Sequence, residues 1–108
     1  MGSYSAGSNS TGDANVIIGY KAGNSNVAGS SNTIVGQLAG NACSADGNTL
    51  IGGAAGTDVT IGYNTMVGYH AGTGTTSGED NTFIGTEAGD NNIDGDNNTV
   101  VGGYAGPV

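Results

Sequence analysis

Pairs of adjacent apolar residues, each followed at once by glycine, recur six times along the chain: Ile17-Ile18, Ile34-Val35, Leu50-Ile51, Met66-Val67, Phe83-Ile84 and Val100-Val101. Each pair sits in a nine-residue phrase, Asn-Thr-apolar-apolar-Gly-x-x-Ala-Gly, with Val16 alone departing from Thr in second place. The phrases begin at Asn15, Asn32, Asn48, Asn64, Asn81 and Asn98, giving periods of 17, 16, 16, 17 and 17 residues. That spacing is too short for a pair of helices and suits one coil of a narrow solenoid. The pattern therefore predicts an all-β fold, a β-solenoid or β-roll of about six coils over residues 15–106. Residues 1–14 read as a lead-in, with Ser3-Tyr4-Ser5-Ala6-Gly7 like the tail of an earlier copy, and residues 107–108 as a C-terminal end. Neither end reads as a cap. The expectation is a section of something longer, or a unit that stacks end to end.

Neighbouring residues in a strand point to opposite faces. The second residue of each pair is always β-branched: Ile18, Val35, Ile51, Val67, Ile84 and Val101. A site that accepts only Val or Ile suits a tight interior column, with side chains stacking at about 4.8 Å from coil to coil. The first residue is apolar but varied: Ile17, Ile34, Leu50, Met66, Phe83 and Val100. On that assignment the varied column faces outward as an apolar stripe about 29 Å long over six coils. Monomers seldom leave such a stripe wet, so it is expected to be an oligomer interface between copies of the chain.

The invariant Ala of Gly-x-x-Ala-Gly suits a corner where backbones pass closely, while the two middle positions vary. The rest of each coil is less regular. Asp58-Val59-Thr60-Ile61-Gly62 reads as a second short strand, with Val27 and Ile93 as candidates for the same place in other coils. The one-residue difference in period is expected at this second corner.

Composition sharpens the picture. There are 23 Gly among 108 residues, one Pro and 9% charged residues, without the three-residue register of collagen, so the chain reads as short strands and tight turns. Nine acidic residues against Lys21 alone give a formal net charge of -8. That argues against nucleic-acid binding, which needs cations to displace phosphate counterions, and against anionic membranes. No apolar run approaches the about 20 residues of a membrane span, and Met1 to Gly12 lack the segments of a secretion signal. The single cysteine, Cys43, excludes an internal disulfide and reads as a small residue in a turn.

The phrase Asn81-Thr82-Phe83-Ile84-Gly85-Thr86-Glu87-Ala88-Gly89, preceded by Thr73-Gly74-Thr75-Thr76-Ser77-Gly78, resembles repeats of bacterial and phage tail-fibre-like surface proteins. It is also similar to the Val-Ala-Ile-Gly repeats in head domains of trimeric autotransporter adhesins, with Val59-Thr60-Ile61-Gly62 the nearest local match. The Asn-Thr opening and the longer period depart from the adhesin pattern. The resemblance implies a homotrimer of β-rolls in an extracellular or virion-surface fibre, with adhesion to a host-cell or surface receptor as its role.

No arrangement of residues reads as catalytic, and the chain is expected not to be an enzyme. The repeated Asn residues suit corner ladders rather than a site. Thr33, Thr49, Thr65, Thr82 and Thr99 form a column of the kind an ice-binding surface needs. They share a face with the Val/Ile column, so ice binding becomes the alternative if the varied column proves to be the interior. Asp80, Asp94 and Asp96 near the second corner offer hard oxygen ligands for calcium, although their spacing matches neither the helix-loop-helix calcium loop nor the Gly-Gly-x-Gly-x-Asp nonapeptide roll. No other cofactor is expected. Tyr20, Tyr69, His70 and Tyr104 at variable corner positions are the candidate recognition patch, since such side chains give large contact area at little entropic cost. The expected function is a structural and adhesive module of an extracellular fibre. Calcium binding and end-to-end filament formation stand as further alternatives.

Overall fold

The computed structural model describes residues 4–8, 11–26 and 28–106. Among these, regular structure consists of six three-residue strands: β1 (Val16–Ile18), β2 (Thr33–Val35), β3 (Thr49–Ile51), β4 (Thr65–Val67), β5 (Thr82–Ile84) and β6 (Thr99–Val101). They form one parallel sheet in chain order, β1 to β6. Parallel neighbours need a crossover between them, and here each crossover is the remainder of one coil. The molecule is thus a parallel β-solenoid of about five turns, extending 35 Å in its longest dimension. Equivalent residues pair directly at every step, as in Ile34 with Leu50, Leu50 with Met66 and Met66 with Phe83. The register carries the repeat into space without a slip.

The interior is the reverse of the expected one. Ile34, Leu50, Met66 and Phe83 are fully buried within the single chain, and Ile17 and Val100 of the end coils pack against them. The column Ile17, Ile34, Leu50, Met66, Phe83 and Val100 is therefore the chain's own core, not an outward stripe for other subunits to cover. The β-branched column faces out: Ile18, Ile51, Ile84 and Val101 are exposed, and Val35 and Val67 are partly so. The reason lies two residues before each member of the varied column. Period-2 alternation puts the repeated Asn on the same side as the varied column, and these amides must point inward to hold the coils together.

Asn32, Asn48, Asn64 and Asn81 are almost wholly buried. The side-chain carbonyl of each repeated Asn accepts the backbone N–H of its equivalent in the next coil, from Asn32 N–H to Asn15 at 2.9 Å through to Asn98 N–H to Asn81 at 2.9 Å. The amide nitrogens turn to the second corner, where Asn64 Nδ2 donates to Ile61 O, Gly62 O and Gly78 O at 3.0, 3.2 and 2.9 Å. Paired in this way a buried amide stabilises; unpaired it would cost about 1–3 kcal/mol.

At the first corner the alanine ladder lies in the core, with Ala22, Ala39, Ala55, Ala71 and Ala88 fully buried. The glycine that ends each strand adopts φ near +135°, and a Cβ on Gly52 would lie 2.4 Å from Gly68 O of the next coil. No other residue fits there. The corner is more constrained than its variable sequence suggests. Lys21, Leu38, Ala54, His70, Glu87 and Tyr104 all hold left-handed φ between 54° and 62°, uncommon for non-glycine residues.

The second strand expected at Asp58–Gly62 does not form. Val59 nevertheless enters the core, where a turn bond from its N–H to Gly56 O at 3.4 Å replaces strand pairing. Its equivalents are Asn26, Cys43, Thr75 and Asn92, a further buried column. Ile93 is exposed, and Val27, Ser3 and residues 107–108, which the sequence reading also involved, lie outside the described residues.

This last column tracks coil length. The two 16-residue coils carry Cys43 and Val59, and the three 17-residue coils carry Asn26, Thr75 and Asn92. The longer coils place their additional residue at the second corner, where Asn26 binds it back: Gly29 N–H donates to Asn26 Oδ1 at 2.8 Å, and Asn26 Nδ2 donates to Gly29 O at 3.2 Å. Asn92 Nδ2 likewise donates to Gly95 O at 2.8 Å. Thr75 is too short for this, and its buried hydroxyl has no partner.

Candidate binding face

The outward side of the sheet is a two-column array. One column holds Val16, Thr33, Thr49, Thr65, Thr82 and Thr99; the other holds Ile18, Val35, Ile51, Val67, Ile84 and Val101. The columns stand about 6.6 Å apart and their members about 4.8 Å apart along the axis, the spacings of alternate residues in a strand and of adjacent strands. The face is open to solvent on the inner strands as well as the end ones: Ile51 and Ile84 are 37% and 40% exposed, and Thr33, Thr49, Thr65, Thr82, Val35 and Val67 are half-buried. None of its residues is charged, whereas all nine acidic residues and Lys21 lie in corners and connecting segments. Four threonines elsewhere, Thr57, Thr60, Thr73 and Thr76, direct their hydroxyls to backbone carbonyls. The hydroxyls of the column have no such partner among the described residues.

The candidate recognition residues do not converge. Tyr20 and Tyr69 occupy one corner column three coils apart, about 14 Å at the coil spacing, and His70 and Tyr104 occupy the adjacent column. Tyr20 meets Tyr4 edge-on at 6.2 Å and lies beneath Lys21 Nζ, 5.5 Å from the ring centroid. Tyr69 and His70 pack against each other at 4.2 Å. These are separate aromatic spots along one edge.

Asp80 and Asp94 are exposed, and Asp96 uses Oδ1 to accept the Glu79 N–H at 2.9 Å. No group of three or more Asp, Glu, His or Cys side chains is arranged to hold a metal among the described residues. Asp46 is employed in the same manner as Asp96, accepting the Ser30 N–H at 2.7 Å. These carboxylates tie one coil's second corner to the next.

Cys43 is buried in the core, where burial pushes its thiol up from the ordinary range, against smaller opposing effects of the Ala45 carbonyl and the Asn48 amide. Its Sγ accepts from Asn48 Nδ2 at 3.6 Å. A thiol so placed is a core side chain rather than a nucleophile.

The fold and this face define the class: a parallel β-solenoid repeat protein with one uncharged sheet face. Comparison with protein-family models, curated proteins and solved structures finds no match to the chain.

Proposed function

We propose that the chain is a structural and adhesive module of an extracellular fibre, a non-catalytic solenoid whose contact surface is the Thr/Ile-Val sheet face. The observation that carries this reading is the in-register array of uncharged, outward Thr, Ile and Val on a chain of net charge -8. Scattered apolar residues on a surface are ordinary, but a continuous stripe over six rungs marks a contact site. Adsorption to uncharged hydroxyl- and methyl-bearing surfaces tests it. The double variant Thr49→Lys/Thr65→Lys should lose adhesion, and Tyr20→Ser/Tyr69→Ser/Tyr104→Ser should keep it. The opposite result moves the contact surface to the corner tyrosines.

A second reading is favoured by the exposure of the Ile/Val column on inner strands, 37% at Ile51 and 40% at Ile84. Copies of the chain would cover that column in a homotrimer, with the interface at Ile18, Val35, Ile51, Val67, Ile84 and Val101. Light scattering on dilute protein separates the two, since this second reading requires three times the monomer mass.

A further inference from the structure

We propose that the ligand of the Thr/Ile-Val face is ice, a crystalline water surface. This rests on the reading of that face as the adhesive surface and names what it binds.

Four observations converge. First, the face repeats in two directions, from coil to coil and from one column to the other, without a register slip over five strand pairings. A ligand that is itself periodic can engage every rung, whereas an irregular macromolecular surface engages a few. Second, five rungs present a Thr hydroxyl that the described structure leaves without a side-chain partner. Each hydroxyl can donate one hydrogen bond and accept two, the capacity needed to anchor water. The adjoining methyl groups of Thr, Val and Ile order the water between these anchors.

Third, every residue of both columns is β-branched, although this is the exposed side of the strand and the core column opposite accepts Ile, Leu, Met, Phe and Val. β-Branched side chains are stiff at χ1, so the array is held in position before any ligand arrives. Charges, which hold a tightly bound liquid hydration shell, are absent from it. Fourth, an array about 29 Å long and two columns wide offers on the order of 300 Å², against about 800 Å² per partner in a stable protein interface. The face is small for a second copy of the chain.

The test uses the whole chain in slowly growing ice, measuring the fraction of protein taken into the solid, together with recrystallisation rate in polycrystalline ice. The chain should enter the ice and slow recrystallisation. Thr65→Lys, which places a charge mid-face, should abolish both. Thr65→Val keeps the shape without the hydroxyl and should weaken both, while Tyr69→Ser should change neither. Circular dichroism and melting confirm that each variant is folded. Exclusion of the folded wild-type chain from ice overturns the inference. If the chain is excluded from ice but trimeric, with the trimer lost in Thr65→Lys, the face is a subunit interface, and ice falls while a structural role for the face stands. If Thr65→Lys alters neither ice uptake, adhesion nor mass, the face carries no function and the proposed function falls with it.

Discussion

The two sides of one three-residue strand obey opposite rules. The inward side tolerates five kinds of apolar residue, from Val100 to Phe83, whereas the outward side admits only Thr and Val in one column and Ile and Val in the other. In an ordinary core, packing restricts the inside and solvent frees the outside. Here each inward side chain lies against glycine and alanine corners; Cβ atoms added at Gly72 and Gly89 would meet Met66 and Phe83 themselves. The space that glycine leaves lets bulk vary from rung to rung. Restriction on the wet side has no such packing cause, and it is there that function is to be sought.

The contrast can be broken most forcefully from inside. Phe83→Ala should lower stability by about 3–5 kcal/mol in denaturant unfolding, because removing a fully buried ring would leave a cavity in the core between coils. If the inside is as tolerant as its sequence suggests, Met66→Leu should cost less than about 1.5 kcal/mol by the same measurement.

Next in size is the amide ladder. Asn64→Ala removes the acceptor of the Asn81 N–H and the donor to three carbonyls of the second corner. It should cost about 1–3 kcal/mol for each buried group left unpaired.

A gain is expected at Thr75. Thr75→Asn supplies the bonds that Asn26 and Asn92 make in the other 17-residue coils and should raise stability by about 0.5–1.5 kcal/mol. An unchanged or lower melting temperature would dissociate that column from coil length.

The Cys43 thiol adds a dependence on alkali. Its folded pKa is raised by burial, so the folded state holds the proton more tightly than the unfolded chain. Stability is therefore fully present below the ordinary thiol pKa and declines as pH rises through the range between the unfolded and folded values. Cys43→Val, a residue already accommodated at Val59, should remove that part of the decline in melting temperature while leaving neutral-pH stability nearly unchanged.

The smallest effect belongs outside: Thr65→Lys should shift stability by no more than about 0.5 kcal/mol, since its side chain points to solvent. A large loss there would mean that the outer face is packed against something and would erase the contrast.

Much of this architecture was legible in the sequence because a repeat states its own geometry. The six rungs, the stacking of coil on coil, the strand at each apolar pair and the second corner as the place where coil length varies follow from the repeat running from Asn15 to Asn98. What alternation cannot give is which side of a strand is inside. Restriction to Ile and Val looks the same whether a narrow core or an outer array imposes it. The deciding signal lay in the Asn positions, because inward Asn amides place Thr and Val/Ile outside. The column Asn26, Cys43, Val59, Thr75 and Asn92 escaped notice because its members share neither polarity nor volume. The same heterogeneity made the Val59 segment look like a strand, since only there does the column residue combine an apolar β-branched side chain with Ile two residues on.

The tie between that column and coil length makes the circumference of each turn adjustable by one residue. Shortening the first coil by a residue at its second corner, with Val in place of Asn26, should yield a turn like the one containing Val59. Each loop of the spiral can thus be tuned separately while the columns above and below stay aligned. A builder could lengthen, trim or splice such a spiral turn by turn, with the ruled outer surface continuing unbroken across every seam.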